Sequence, residues 1–138
     1  MSEPLLKLVD GKKFYDRQGT RLEVLKGIDL EIYEGEALCI LGASGAGKST
    51  LLHILGTLDK PSLGRVYFRG QDFSRKSDEE LAQFRNRELG FVFQFHHLLS
   101  EFTAFENVLL PARIGNIPEK EAQSRAQELF KMLGLESR

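Results

Sequence analysis

Only one cysteine, Cys39, stands among the 138 residues of this chain, so no disulfide can form within it, and a reducing compartment is expected. Net charge of one sign is lacking too, since 19 lysines and arginines against 20 acids leave −1. No overall field draws such a chain to nucleic acid or acidic lipid, and no nucleic-acid partner is expected. Long apolar runs are missing: the longest, Ala37 to Ala43, includes Gly42 and falls far short of the roughly 20 residues that cross a bilayer. The opening MSEPLLKLVDG has no basic flank followed by an apolar core and does not read as a secretory signal. There are no internal repeats or low-complexity tracts. These absences predict a soluble cytoplasmic protein whose membrane role, if any, comes through a partner. What is present is an ordinary globular balance, 41% hydrophobic and 28% charged, at the length of one domain.

Leu5 to Val9 reads as a first strand. In GIDLEIYEGE, Ile28, Leu30 and Ile32 alternate with Asp29, Glu31 and Tyr33, the period-2 mark of a strand with one wet face. FYDRQGTRLE between them reads as a polar turn, so an antiparallel pair or small sheet is expected. ALCIL, Ala37 to Leu41, is apolar on both faces, as a buried parallel strand would be. It leads through GASGAGKST into LLHILGTLD, with helical spacing at Leu51, Leu52, Ile54, Leu55 and Leu58. PSLGRVYFRG reads as a turn and a short strand. Ser77 three residues before Glu80, and Thr103 three before Glu106, are capping boxes that open two helices. A further helix starts near Pro118, with a stripe at Ala122, Ala126, Leu129, Phe130 and Leu133, and Gly134 as its C-terminal cap.

Gly42-Ala43-Ser44-Gly45-Ala46-Gly47-Lys48-Ser49 fits G-x-x-x-x-G-K-[ST]. Glycines let the backbone fold tightly enough for several N–H groups to converge on phosphate oxygens, and the following helix brings its positive end to the same place. Lys48 is placed to neutralise β- and γ-phosphates, and the Ser49 hydroxyl to reach Mg²⁺. Ser44 and Thr50 are secondary candidates, with Gly42, Gly45, Ala46 and Gly47 supplying backbone. A glycine-rich turn could match by chance, but the strand–loop–helix setting favours binding of a nucleoside triphosphate. Cys39 in its apolar strand and His53 in its helix read as core. His96 and His97 are adjacent and lack an acidic or thiol cluster, which argues against a metal site.

GFVFQFHHLLSEF, Gly90 to Phe102, begins as a core strand over Phe91 to Phe93 and ends in Gln94, at the end of a strand where ligands gather in α/β sheets. The loop after it is too apolar for a plain solvated connection. Phe95, Leu98, Leu99 and Phe102 either line a docking groove or pack inward against the helix that begins near Pro118.

GASGAGKST, LDKP (Leu58 to Pro61), GFVFQ and TAFENVLLP (Thr103 to Pro111) together resemble the ATP-binding subunits of ABC transporters. FQFHHLLSEFTAFENV resembles the ATPase subunit of the bacterial lipoprotein-releasing complex in particular. The similarity runs from about Leu5 to Arg138. It implies an α/β P-loop NTPase core (an ABC ATPase) with an N-terminal antiparallel β region at 1–36, a core at 37–94, and the start of a helical subdomain at 95–138. It implies ATP and Mg²⁺ as cofactors, with Lys48 and Gln94 catalytic and Gln94 near the metal and the attacking water. It makes Tyr15 the aromatic that stacks on adenine, with Phe14 as rival. It implies transmembrane transporter subunits docking a short cytoplasmic helix on loop 95–102, a second ATPase subunit, and a place at the cytoplasmic face of the inner membrane. Family members also carry an LSGGQ-like signature, four apolar residues ending in Asp-Glu, and a late histidine. No such segment occurs in these residues, and the apolar GFVF ends in Gln94. The chain is therefore expected to be the N-terminal part of such a subunit and to turn over little ATP by itself. Competing readings are a nucleotide-binding fragment without turnover, the ATPase of a macrolide-export or cell-division complex, and a P-loop kinase or ABC ATPase that serves no transporter.

Overall fold

Apolar–polar alternation lays β1 (Leu6–Arg17) against β2 (Thr20–Ile32) as a long antiparallel pair, with Leu6 opposite Ile32, Leu8 opposite Leu30 and Tyr15 opposite Leu22. The structure, a computed structural model, describes residues 3–17 and 19–138. They divide into two units, Met1–Leu81 and Ala82–Arg138.

In the first unit β1 also pairs with β3 (Leu63–Phe68), and β3 with the short β4 (Gln71–Asp72). The order is β2-β1-β3-β4, antiparallel throughout. Helix α1 (Lys48–Leu55) lays Leu51, Ile54 and Leu55 on Leu8, Leu25 and Val66 of this sheet. Eight residues are too few for a stable free helix in water. Burying each leucine or isoleucine contributes about 1.5–3 kcal/mol, and that packing holds α1 in place. Ile28, Leu30 and Ile32 pack against the same core while Asp29 and Glu31 face water, as their alternation predicts.

FYDRQGTRLE is mostly strand rather than turn. Phe14–Arg17 and Thr20–Glu23 continue the ladder, and Arg21 covers the Phe14 ring at 3.9 Å. Backbone pairing is indifferent to side-chain polarity where the outer faces are wet. Gln18 lies outside the described residues.

The two apolar segments read as buried parallel strands form no ladder. Ala37–Leu41 and Phe91–Phe93 take no strand pairing among the described residues. Leu41 is 86% exposed and Val92 fully so. Cys39 is exposed rather than core. Only Ile40 packs partly on the first core. A central parallel strand is buried by neighbours on both edges, and no described residues supply them here. His53 also departs from expectation: it sits on the outer face of α1 with Leu52, exposed.

Both capping boxes form. Ser77 and Glu80 exchange bonds of 2.8 and 3.2 Å at the start of α2 (Asp78–Glu88). Thr103 and Glu106 do the same, at 2.8 and 3.2 Å, at the start of α3 (Ala104–Ile114). In the second unit α3 and α4 (Glu119–Met132) form a helical hairpin on Leu109, Ala122 and Ala126, closed by Phe105 edge-on to Phe130 at 5.5 Å. Arg113 grips Glu119 across the turn with bonds of 2.8 and 3.3 Å, and Asn86 of α2 donates to the Pro111 carbonyl at 2.8 Å. Pro118 takes the N-cap position of α4 rather than its first turn. At the other end Gly134 adopts φ +67°. There the Leu135 N–H donates to the Phe130 carbonyl and the Gly134 N–H to that of Lys131, a Schellman closure. Leu133, included in the apolar stripe, is the C-cap residue and is exposed, because the helix ends before its side chain can turn inward.

Candidate nucleotide site

The loop 42–47 gets its shape from two left-handed glycines, Gly45 at φ +79° and Gly47 at +93°. A side chain at either would strain the backbone. At Gly47 it would also press on Val24 and Leu25 of β2, at 3.0–3.2 Å. The loop thus rests directly on the sheet, tightened by the Ala46 N–H donating to the Ala43 carbonyl at 3.2 Å.

Gly47 is the N-cap of α1 and offers no side-chain cap, and the first turn carries no acid. The positive helix end is therefore left uncapped over the loop, as an anion site needs. Lys48 bends back across the loop and donates to the Gly42 carbonyl at 2.7 Å and the Ala43 carbonyl at 2.6 Å. An ammonium has three N–H donors, so one remains for a phosphate oxygen. Ser49 is exposed on the same turn, and Thr50 half-buried beside it. Glycine backbone, an uncapped helix end and a lysine with one of three donors to spare fit a polyphosphate.

Tyr15 projects from β1 and is 41% exposed. Its hydroxyl donates to Asp59 Oδ2 at 3.1 Å, and the Lys13 ammonium stands 5.1 Å from the ring centroid. Lys13 is held by Asp59 Oδ1 at 2.6 Å and by the Lys60 carbonyl at 2.8 Å. Burial pushes the Asp59 carboxyl upward, but its hydrogen bonds from Lys13 and the Lys60 N–H outweigh that and hold it below the usual range. The rival Phe14 ring is covered by Arg21. Sequence spacing does not mark Asp59 or Lys13 as site residues. The one pointer towards Asp59 is LDKP, whose acid reaches a strand more than forty residues earlier.

Gln94 lies in the second unit, exposed, on irregular backbone. Phe91 and Phe93 stack on each other at 5.4 Å, and His97 meets Phe93 edge-on at 5.0 Å, so His97 serves as an aromatic neighbour. No cluster of three metal-ligating side chains occurs among the described residues. Phe95, Leu98, Leu99 and Phe102 are all exposed, between 67% and 39%, and none is a core residue. No helix among the described residues is long and apolar enough to cross a membrane.

A family model described as ABC transporter matches residues 25–138. The chain is 54% identical over 133 residues to the lipoprotein-releasing system ATP-binding protein LolD of Bdellovibrio bacteriovorus, covering 96% of this chain and 60% of that protein. It is 56% identical over 117 residues to the LolD of Bacteroides fragilis, covering 85% and 54%. The dimeric post-hydrolysis structure of the ATP-binding cassette MJ0796, bound to ADP and Pi, superposes with a TM-score of 0.85 at 40% identity, over 92% of this chain and 56% of that one. The chain spans at most 60% of the length of these curated relatives.

Proposed function

Because this chain belongs to the ABC transporter family, we propose that it is the nucleotide-binding part of an ATPase subunit that couples ATP to a membrane partner. The observation that carries the reading is the loop itself: Lys48 held across two loop carbonyls with a donor to spare, over a helix end with no cap and no acid. In this reading Gly42 to Thr50 cradle the phosphates by backbone and hydroxyl, and Lys48 neutralises the β- and γ-groups. Tyr15 stacks on the base. Mg²⁺, when bound, supplies charge neutralisation at the phosphates, and Ser49 and Gln94 are the residues of this chain assigned to it. The role of Gln94 rests on its motif.

The relatives named for the lipoprotein-releasing system support lipoprotein release from the inner membrane as the transport task. Macrolide-export and cell-division complexes are the runners-up. The exposed Phe95, Leu98, Leu99 and Phe102 support docking of a short cytoplasmic helix of a transmembrane subunit. The dimeric cassette supports pairing with a second ATPase subunit. Such an assembly sits at the cytoplasmic face of the inner membrane. A second reading, binding without turnover, is favoured for the 138 residues themselves by a specific feature: the apolar GFVF runs into Gln94, and no Asp-Glu pair closes an apolar run.

Calorimetric titration with Mg-ATP tests the binding. Replacing Lys48 by alanine removes a charge-assisted hydrogen bond worth about 1.5–3 kcal/mol, so affinity falls roughly tenfold or more. Equal affinities would remove the assignment. Phosphate release by the 138-residue chain at a rate abolished by Lys48→Ala would instead overturn the reading of binding without turnover.

A further inference from the structure

The turn that follows α1 is fastened to β1 along successive residues. The Ser62 N–H donates to the Lys12 carbonyl at 2.8 Å, and the Phe14 N–H donates to Ser62 Oγ at 3.0 Å. Beside these, Asp59 takes Lys13 on one carboxylate oxygen and the Tyr15 hydroxyl on the other. The Lys60 N–H caps the first oxygen at 2.7 Å. This is not a loose surface pair, since the Lys13 side chain is only 12% exposed.

The strand register ties the cluster to the phosphate loop. Gly47 rests against Leu25, and Leu25 pairs directly with Lys13 across the β1–β2 ladder. Tyr15 follows two residues on, about 7 Å along the strand. The Lys13 ammonium covers one face of the Tyr15 ring, held there by Asp59 and the Lys60 carbonyl. The hydroxyl bond stops the ring from swinging about its side-chain torsions. A planar ligand that stacks on Tyr15 then meets an aromatic surface already held in place, and the residue is 41% exposed.

We propose that Asp59 is a positioning residue for the nucleotide base: it anchors Tyr15 by its hydroxyl and Lys13 by its ammonium, so that a purine stacks on a pre-set ring. The inference rests on the reading of Tyr15 and the 42–50 loop as the nucleotide site. Pre-setting the ring removes an ordering cost that binding would otherwise carry. It acts only on ligands that have a base.

The test uses two ligands with Mg²⁺, ATP and inorganic tripolyphosphate, titrated against the wild-type chain and its variants. Asp59→Asn should weaken ATP roughly three- to tenfold, the range of one or two missing hydrogen bonds, and leave tripolyphosphate unchanged. Tyr15→Phe, which keeps the ring and cuts the bond, should give a smaller loss for ATP alone. On a Tyr15→Ala background, Asp59→Asn should add nothing. Unchanged ATP affinity in Asp59→Asn, with Lys48→Ala still impaired, overturns the inference alone. Equal loss of both ligands in Asp59→Asn and in Tyr15→Phe makes Asp59 merely structural and also overturns it. Wild-type ATP binding that ignores Lys48→Ala removes the underlying site and the inference with it.

Discussion

Asn107 holds the Leu99 backbone at both of its polar groups: its carboxamide oxygen accepts the Leu99 N–H at 2.9 Å, and its nitrogen donates to the Leu99 carbonyl at 3.0 Å. The same nitrogen reaches the Phe102 and Thr103 carbonyls at 3.1 and 2.9 Å. A residue inside the first turn of α3 thus pins the end of a loop that has no ladder or helix of its own. Leu98, Leu99 and Phe102 are presented from a locally fixed backbone.

Asn107→Ala should release that loop. With several hydrogen bonds removed from partly solvated groups, the local cost is about 1–2 kcal/mol. Hydrogen exchange at the Leu99 amide should accelerate about tenfold, while amides of β1 and β2 stay as they were. Asn107→Asp, which keeps the acceptor and loses the donor, should fall between. Unchanged exchange at Leu99 would show the loop is held by something else.

The capping boxes give a pH dependence. The Ser77 and Thr103 backbone N–H groups, followed by their hydroxyls, hold the Glu80 and Glu106 carboxyls below the ordinary value of 4.5. A depressed carboxylate contributes stability that is present above its unfolded value and lost as pH falls through the native one. Helix content should therefore drop as pH falls below 4.5, beginning at the N-termini of α2 and α3. Circular dichroism of a Glu80→Gln, Glu106→Gln double variant should show lower helicity at neutral pH and a flatter acid limb. A parallel acid limb in parent and variant would contradict this.

Unpaired apolar backbone makes the 138-residue chain prone to self-association. Val92 is fully exposed beside Phe91 and Phe93, and Leu41 stands out at the end of its own unpaired segment. Such edges pair with one another. Size-exclusion chromatography should show larger species growing with concentration, and Val92→Lys should reduce them without changing the melting of the first unit. A concentration-independent monomer for the parent chain would rule this out.

The features legible in the sequence are those set within a few residues. The Ile28–Leu30–Ile32 alternation, both capping boxes, the Gly134 closure and the loop over Lys48 all depend on local spacing. Burial of ALCIL and of Phe91–Phe93 does not. Their composition says what would happen beside suitable neighbours, and burial is a property of those neighbours. The reach from Asp59 to Tyr15 is hidden for a related reason, since a bond across 44 positions leaves no periodic trace. Asn107 reads as an ordinary helical residue until the loop is seen to fold back on it.

The exposed loop carries the most consequential prediction. Phe95, Leu98, Leu99 and Phe102 are four large apolar side chains within eight positions, all open to solvent, and Asn107 fixes the backbone of the last part. Order without burial is what a docking surface needs, because the partner then bears little of the ordering cost. The loop's polar members, Ser100 and Glu101, leave a mixed rim around an apolar centre, the usual anatomy of an interface. Leu99→Asp places a charge at that centre. If the proposed membrane partner docks here, Leu99→Asp should weaken that association by roughly tenfold or more, because the leucine no longer buries apolar area and the new carboxylate must shed its water. ATP affinity should stay as in the parent, since Leu99 is not among the residues assigned to the phosphates, the base or Mg²⁺. Co-purification with the membrane subunit and ATP titration on the same variant decide the matter. Normal assembly would rule out the docking role, and so would loss of ATP binding, because the substitution would then be acting through the fold.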